Sequence, residues 1–270
     1  MKRLFIQILS HIFPKLTVQL AYQQLTSPRI KKLREHELAL LETAQQSNFT
    51  FGAFDIRLYE WPGKGETILL IHGWEGQAGN FADLIPLLLQ KDYHVIAFDG
   101  PSHGFSSKGK TSLFEFNALV TTLIQRYAPS RLLSHSFGGV ATTSALYELP
   151  DTHIQRYALL TTPDKFMDRI NDISQQVGIN EKVKYQLIER LQKEVQTDVS
   201  QLNVSTFVQK LNVDKALIIH DKNDRVIPIQ QSRNVAQNWP NCEMLEIEGT
   251  GHFRILRTPA VLQKVVAFLE

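Results

Sequence analysis

Short apolar runs separated by helical segments constrain the fold of this chain more than any other feature. Continuous apolar runs are typical of strands buried on both faces of a sheet. Strands are predicted at 67–71, at 93–98, in the run leading to Ser136, at 154–160, at 216–220 and at 244–247. Helices are predicted between and after them, at 79–91, 113–128, 137–147, 229–238 and 258–269. This alternation predicts an α/β fold with a mostly parallel sheet and helices on both faces.

Three segments depart from the alternation. Residues 3–24 and 28–45 read as two helices, divided at Thr26-Ser27-Pro28. Residues 49–61 alternate and hold aromatic side chains, which predicts a β-hairpin or two short strands. The segment from about 164 to 210 is polar, with apolar residues at helical spacing. We therefore expect a helical arm at 1–48 and an α/β domain at 49–270 that carries a helical cap at 164–210.

The composition limits which disulfides, metal sites and cofactor sites the chain can form. The 270 residues are 43% hydrophobic and 21% charged, which is ordinary for a globular protein. The single cysteine, Cys242, cannot form an intramolecular disulfide or a cysteine-rich metal site. The histidines do not combine with carboxylates at metal-ligand spacing, and the sequence contains no phosphate-binding glycine loop. The sequence thus predicts no metal, no nucleotide cofactor and no nucleic-acid partner.

Charge is placed unevenly. Residues 1–34 hold seven basic and no acidic residues, a charge of +7, whereas the remainder has 22 basic and 27 acidic residues. A basic, amphipathic segment favours contact with an anionic lipid surface; the alternative is that this arm packs on the protein's own body. The first ten residues resemble the start of a signal peptide, but Gln7 and Ser10 interrupt them and no cleavage site follows. We expect a cytoplasmic protein with peripheral membrane contact through residues 1–34.

Ser136 lies between an apolar run and a glycine-containing helical segment, within Ser134-His135-Ser136-Phe137-Gly138. A serine at a sharp strand-to-helix turn, between small residues, is the pattern of a nucleophile elbow. Ser134 stands where the usual G-x-S-x-G pattern has its first glycine. The structural alternative is that Ser136 caps the helix that follows.

Two further chemical groups follow predicted strands. Asp221 and Asp224 come after the run at 216–220, and His252 comes after the last strand. In an open parallel sheet, loops at the carboxyl ends of strands lie together. A neutral imidazole can take the serine proton, and a carboxylate can orient that imidazole. The residues therefore predict a catalytic triad in the order Ser, Asp, His.

An oxyanion site is also predicted. Gly73 follows the run at 67–71 and allows the backbone to approach a substrate closely. The backbone N–H of Trp74 and that of Phe137, at the start of the elbow helix, are the candidate donors to a developing oxyanion.

Taken together, these motifs resemble the α/β-hydrolase fold serine hydrolases, from about residue 50 to the end of the chain. The matching stretches are HGW at 72–74, DGPSHGFSS at 99–107, SHSFGG at 134–139, DRVIP at 224–228 and GTGHF at 249–253. The helical arm, HGWEG and GHFRIL are similar to a bacterial subgroup of largely uncharacterised hydrolases. The resemblance implies Ser136 as nucleophile, Asp224 as acid, His252 as base, and Trp74 and Phe137 as oxyanion donors.

The resemblance also favours Asp224 over Asp221, because Asp221 occupies a position where the family has glycine. It assigns Asp99 to a structural turn. His72 and His103, together with His220, are expected to satisfy backbone groups, and His135 to line the pocket.

The resulting functional prediction is a serine hydrolase that cleaves a carboxylic ester through an acyl-serine intermediate, with the cap shaping the pocket for a small-molecule acyl substrate, an apolar ester of small to medium size. Two alternatives remain open. One is an acyltransferase or thioesterase that uses the same triad, and the other is a binding protein whose triad is idle. The oligomeric state is not predicted.

Overall fold

A computed structural model describes residues 2–195 and 198–270 and contains one eight-stranded sheet, in the order β1-β2-β4-β3-β5-β6-β7-β8. The strands are β1 (Gln45–Phe51), β2 (Phe54–Trp61), β3 (Thr67–Ile71), β4 (His94–Phe98), β5 (Arg131–His135), β6 (Ile154–Leu160), β7 (Val213–Asp221) and β8 (Cys242–Ile247). The β1–β2 and β2–β4 pairs are antiparallel, and the remaining pairs are parallel. This confirms the predicted mostly parallel sheet and the predicted hairpin.

Helices cover both faces of the sheet. They are α1 (Lys2–Ile12), α2 (Pro14–Thr26), α3 (Glu35–Glu42), α4 (Ile85–Leu89), α5 (Leu113–Tyr127), α6 (Phe137–Glu148), α7 (Phe166–Val177), α8 (Glu181–Val195), α9 (Val204–Phe207), α10 (Ile229–Asn238), α11 (Gly251–Arg254) and α12 (Pro259–Leu269). Along β3, Ile68 and Leu70 belong to one buried cluster, whereas Leu69 and Ile71 belong to another. Because successive side chains of a strand point to opposite faces, the central sheet is buried on both faces, as its continuous apolar runs predict.

Three helix predictions were wrong in their bounds. The segment at 3–24 is two helices, because Pro14 opens α2 and disfavours helical backbone at Phe13, which has φ −129° and ψ 64°. The segment at 28–45 is helical over α3 alone, where Glu37 reaches back to the backbone N–H of Arg34. The segment at 79–91 divides into a 3₁₀ turn and α4. There, Pro86 lacks the N–H that a continuous helix would require.

The first two helices lie on the helical segment between β6 and β7. Helix α1 contacts α7, and α2 contacts α8, where Tyr22 and Leu25 pack against a cluster formed by Ile170, Leu187 and Leu191. The arm therefore packs on the protein's own body through one side, and membrane contact through residues 1–34 stays a prediction. The predicted arm starts at Met1 and the predicted cap includes positions 196 and 197, all three outside the described residues. Among the helices in the described ranges, none combines the length and the apolar character needed to cross a membrane.

Candidate active site

Ser136 occupies a strained turn between β5 and α6. Its backbone has φ 55° and ψ −125°, a conformation that a residue with a side chain rarely adopts. The Ser136 N–H holds the turn by donating to the carbonyl oxygens of Thr161, at 2.8 Å, and Leu160, at 3.1 Å. The Ser136 side chain makes no capping hydrogen bond to α6. The capping alternative therefore lacks its defining contact, and the hydroxyl is left for the cavity beside it.

Two glycines allow the chain to pass this closely. A Cβ atom on Gly138 would lie 2.6 Å from the Ile71 carbonyl oxygen, and one on Gly73 would lie 2.9 Å from the His135 carbonyl oxygen. Either distance is too short for a side chain unless the backbone shifts. The position of Ser134, by contrast, accommodates its side chain, because its hydroxyl hydrogen-bonds the Tyr157 hydroxyl at 2.7 Å. Ser134 is thus part of the packing beneath the elbow.

His252 and Asp224 form a buried hydrogen-bonded pair. The distance between His252 Nδ1 and Asp224 Oδ2 is 2.8 Å, and Asp224 Oδ1 accepts the backbone N–H groups of Val226 and Ile227 at 2.7 and 3.0 Å. Burial alone would raise the pKa of Asp224, but the nearby imidazoles of His220 and His252 and the backbone N–H of Ile227 lower it below its usual range. An ionised Asp224 accepts the Nδ1 proton of His252, which leaves Nε2 of that ring as a base.

His220 is the other imidazole near Asp224. Its Nε2 lies 3.6 Å from Asp224 Oδ2, beyond hydrogen-bonding range, and 3.1 Å from the carbonyl oxygen of Ile227. Its Nδ1 is 2.7 Å from the Ser232 hydroxyl. His220 therefore satisfies neighbouring groups, as predicted, and His252 is the closer partner of Asp224.

Asp221 has a different position. Its Oδ2 accepts the N–H of Thr250 at 2.5 Å, the Thr250 hydroxyl at 2.9 Å and the N–H of Gly251 at 2.8 Å, and its Oδ1 accepts the N–H of Asn223 at 2.8 Å. Although burial would raise its pKa, these hydrogen bonds lower it. In the part of the chain that the structure describes, Asp221 makes no hydrogen bond to His252. Instead it anchors the loop that carries His252.

A cavity of about 720 Å³ brings most of the predicted site residues together. Trp74, Ser136, Phe137 and His252 all line it, whereas the Asp224 side chain is fully buried and lies outside this lining, bonded to His252. Within the described residues, the backbone N–H groups of Trp74 and Phe137 donate to no other group of the protein. Two unpaired amides beside a serine hydroxyl are the groups that can stabilise an oxyanion.

Histidines under the Trp74 loop hold it in place. His72 Nδ1 donates to the Gly73 carbonyl oxygen at 2.8 Å, and its Nε2 accepts the N–H of Gly100 at 2.9 Å. His103 similarly accepts the N–H of Glu75 at 3.2 Å. Burial is the main reason that both imidazoles have a lowered pKa, so they stay neutral. These contacts confirm the structural role predicted for the two histidines.

Asp99 also has a structural role. It accepts the backbone N–H groups of Ala78 and Phe105, each at 2.8 Å, and the Tyr59 hydroxyl at 3.0 Å. These three bonds join β2, the loop after β3 and the loop after β4.

His135 has a second role that the sequence did not predict. It lines the cavity as expected, and its Nε2 donates to the backbone carbonyl oxygen of His252 at 2.9 Å. Burial is the main cause that lowers its pKa to about 3, so the ring is neutral. The residues are 117 positions apart, and adjacency to Ser136 is the one sequence signal that marks His135.

The cavity wall also includes residues of the arm, namely Leu25, Lys31, Lys32 and Arg34. For the three cations among them, the positive charge of residues 1–34 was the sequence signal that could have pointed to the cavity. As for metals, the described ranges hold no group of three or more His, Cys, Asp or Glu side chains arranged to bind an ion.

Comparisons with known proteins agree with this architecture. The sequence model of the alpha/beta hydrolase fold family matches residues 66–177. The chain is 23% identical over 252 residues to the uncharacterized hydrolase YugF of Bacillus subtilis, covering 77% of this chain and 91% of that protein. It is 28% identical over 151 residues to a serine hydrolase-like protein of Danio rerio, which is 52% of this chain and 45% of the relative.

A further relative is a pimeloyl-acyl-carrier-protein methyl ester esterase of Xanthomonas oryzae, which is 30% identical over 105 residues, or 39% of this chain and 40% of that protein. Among solved structures, a membrane phospholipase A has a TM-score of 0.66 at 16% identity, covering 98% of this chain and 94% of that one. A CIB-like hydrolase from Thermoplasma acidophilum has a TM-score of 0.61 at 17% identity, covering 84% of this chain and 98% of that one. The sheet order, the family match over residues 66–177 and these structural neighbours show that the chain has the α/β-hydrolase fold.

Proposed function

We propose that this protein is a serine hydrolase that cleaves a carboxylic ester through an acyl-serine intermediate. The observation that carries the proposal is the His252–Asp224 hydrogen bond of 2.8 Å beside a cavity onto which the strained Ser136 turn also opens. Nucleophile, base and acid are supplied by three separate loops at the carboxyl edge of one sheet, where such groups collect in α/β folds.

The first half of the reaction acylates the serine. His252 Nε2 takes the Ser136 hydroxyl proton as the oxygen attacks the ester carbonyl, and the ionised Asp224 stabilises the imidazolium that forms. The negative charge of the tetrahedral intermediate is placed on the carbonyl oxygen, where the N–H groups of Trp74 and Phe137 are the proposed donors. The imidazolium then returns its proton to the departing alkoxide, so that an alcohol leaves and the acyl group stays on Ser136.

The second half regenerates the enzyme. Water gives a proton to His252 Nε2 while its oxygen attacks the acyl carbonyl, and collapse of the second tetrahedral intermediate releases the acid as Ser136 recovers its proton. His135 supports both halves indirectly, because its hydrogen bond to the His252 carbonyl oxygen fixes the backbone of the base.

Hydrolysis of a short-chain p-nitrophenyl ester tests the proposal. Ser136→Ala and His252→Ala should each lower kcat by on the order of a millionfold, because the nucleophile and its base act as one unit. Ser102→Ala is a matched control, since Ser102 is a buried serine in the turn after β4 that is absent from the cavity lining. Ester hydrolysis by Ser136→Ala at the rate of the parent would refute the mechanism.

Two rival functions give different results in related assays. An acyltransferase or thioesterase would form the same acyl-serine, so products are analysed with added alcohol and with a thioester of equal acyl length. Preferential formation of a new ester, or preferential thioester cleavage, would replace the proposed reaction. A binding protein with an idle triad would hydrolyse neither substrate.

A further inference from the structure

The first two helices present a large apolar surface to solvent. Its members are large side chains of α1, α2 and the residue between them, each between 46% and 65% exposed: Leu4, Phe5, Ile8, Ile12, Phe13, Leu16 and Leu20. We call this set the arm face. Exposed apolar side chains that occur singly are ordinary, whereas a contiguous group of this size marks an interaction surface.

Helix α1 packs on the protein with its other face. The Ser10 side chain is buried, and the Ser10 carbonyl oxygen accepts a hydrogen bond from Asn180 Nδ2 at 2.9 Å. At the other end of the helix, Arg3 lies so close to the turn after α7 that a Cβ on Gly178 would be 2.8 Å from the Arg3 carbonyl oxygen. A helix that packs solely for stability buries its apolar face. In α1, by contrast, large apolar side chains such as Phe5 and Ile8 face solvent, whereas the polar Ser10 is buried.

The first 34 residues, which include the arm face, also carry a block of positive charge. Six exposed cations lie in the arm: Arg3, Lys15, Arg29, Lys31, Lys32 and Arg34. Of these, Arg34 alone forms a salt bridge, with Glu37, within the described part of the chain. Residues 1–34 hold no acidic residue at all. The charge is complementary to an anionic surface and opposes the pairing of this face with a second copy of itself.

We propose that the arm face docks the protein on a membrane containing anionic lipid. The apolar side chains enter the boundary between headgroups and acyl chains, and cations of residues 1–34 contact the headgroups, which is how interfacial amphipathic helices bind. The arm continues through Leu25 and Lys31 into the wall of the active-site cavity. Docking would therefore bring the cavity to the lipid surface.

Vesicle co-sedimentation of the full chain tests this proposal. The parent should bind vesicles of phosphatidylcholine mixed with phosphatidylglycerol, and bind pure phosphatidylcholine at least tenfold more weakly. Phe5→Gln combined with Ile8→Gln should lower binding to mixed vesicles by tenfold or more, since apolar burial is lost. Lys15→Gln combined with Arg29→Gln should lower it by about fivefold for each charge removed.

The matched control is Tyr185→Gln, which removes an equally exposed aromatic side chain from α8, outside the arm face. All these sites are exposed, so the variants should keep the parent's unfolding midpoint. Equal sedimentation of parent and Phe5→Gln/Ile8→Gln would overturn the proposal. So would a lipid-free dimer, measured by light scattering, that this double variant converts to a monomer, because the arm face would then belong to a second copy.

Positively charged side chains outnumber carboxylates in the lining of the active-site cavity. Six cations line it, namely Lys31, Lys32, Arg34, Arg169, Arg254 and Arg257, against the two carboxylates Glu37 and Glu75. Glu37 is already paired with Arg34. The guanidinium of Arg169 donates to the Val226 carbonyl oxygen at 2.9 Å and forms no salt bridge with any described residue.

We infer that the ester taken by this site carries an anionic group, an inference that rests on the proposed hydrolase function. Unpaired cations around a cavity raise the local concentration of anionic substrates and pair with them when bound. The sequence-based expectation of a purely apolar ester did not include these cations, which come from the arm, from α7 and from the segment around His252.

Two p-nitrophenyl esters of similar length test it, the neutral valerate and the anionic hemiglutarate. The hemiglutarate should have the higher kcat/KM, and Lys32→Gln combined with Arg257→Gln should lower the ratio of its kcat/KM to that of the valerate about tenfold, through the KM of the hemiglutarate. Lys64→Gln, an exposed lysine outside the cavity lining, is the control. Equal effects on both esters would overturn the charge inference while leaving the hydrolase proposal intact. Absence of all hydrolysis would instead reject the hydrolase.

Discussion

Asp221, the last residue of β7, and Asp224, in the loop that follows, should respond to the same chemical change in different ways. Asp224→Asn keeps the volume and removes the charge. The amide oxygen can still accept the N–H groups of Val226 and Ile227, which now bond Oδ1, but the NH₂ then faces His252 Nδ1. His252 must accept at Nδ1 and carry its proton on Nε2, so it cannot take the serine proton. We expect kcat to fall by on the order of ten-thousandfold, with the fold retained.

Asp221→Asn should affect stability instead. The Asp221 carboxylate accepts four hydrogen bonds, three from the loop at Thr250 and Gly251 and one from the N–H of Asn223, in a fully buried position. An asparagine has one oxygen, so at least one N–H then meets an NH₂ group and the remaining bonds lose their charge assistance. Bonds to charged groups contribute about 1.5–3 kcal/mol against about 1 for neutral bonds, so the free energy of unfolding should fall by about 3 kcal/mol or more. A displaced His252 costs up to about a hundredfold in kcat.

Hydrolysis of p-nitrophenyl acetate and urea unfolding, measured on the same preparations, separate the two effects. Asp151→Asn, in the exposed turn before β6, is the control for a lost surface carboxylate. If Asp221→Asn abolished the rate without loss of stability while Asp224→Asn retained it, the assignment of acid and anchor would be refuted.

Three further changes test the structure around the elbow. Ser134→Ala should lower the free energy of unfolding by about 1–3 kcal/mol, because it leaves the buried Tyr157 hydroxyl without its 2.7 Å partner, and should change kcat little; urea unfolding measures it. Gly138→Ala should abolish ester hydrolysis or soluble expression, since its Cβ would lie 2.6 Å from a backbone oxygen and the clash costs about 1–3 kcal/mol or more; wild-type rates would contradict the close approach. His135, with a pKa of about 3 when folded, takes up a proton in the unfolded chain below about pH 6.5. The unfolded state therefore binds more protons, and this one residue should lower stability by about 1.4 kcal/mol per unit as pH drops from 6.5 towards 3; His135→Gln should remove that part of the slope, whereas His72 and His103, whose pKa is also lowered by burial, keep theirs. The lowered pKa of Asp224 acts in the same direction but starts only below about pH 4, near the ordinary aspartate pKa, so Asp224→Asn should flatten stability in that more acidic range.

The sequence predicts the parts of this fold in which local pattern and burial agree. The run at 67–71 is apolar at successive positions because each side chain enters one of two cores, and that double burial is visible in the sequence. Ser136, Asp224 and His252 were located by the same logic, since each follows such a run. Beginning with Gln45, by contrast, β1 is polar along its first half and, within the sheet, pairs with β2 at the edge. The predicted helix at 28–45 therefore included Gln45, and the predicted hairpin began only at Phe49.

Contacts between distant segments were the part that the sequence could not supply. The bond from His135 to the His252 carbonyl oxygen joins residues 117 positions apart, and no local pattern encodes it. The anchoring role of Asp221 depends on the path of the loop around Thr250. Similarly, an amphipathic α1 is compatible with either face packing inward, and the contact between Ser10 and Asn180 decides between them.

The central claim is that Ser136 is an activated nucleophile, and covalent labelling tests it most directly. The parent is treated with a fluorophosphonate, and the labelled peptide is identified by mass spectrometry, with Ser136→Ala and Asp224→Asn treated alongside. Modification of Ser136 in the parent, slower modification in Asp224→Asn and none in Ser136→Ala is the predicted result. An unlabelled parent, or a label carried by another residue and retained in Ser136→Ala, would contradict the account.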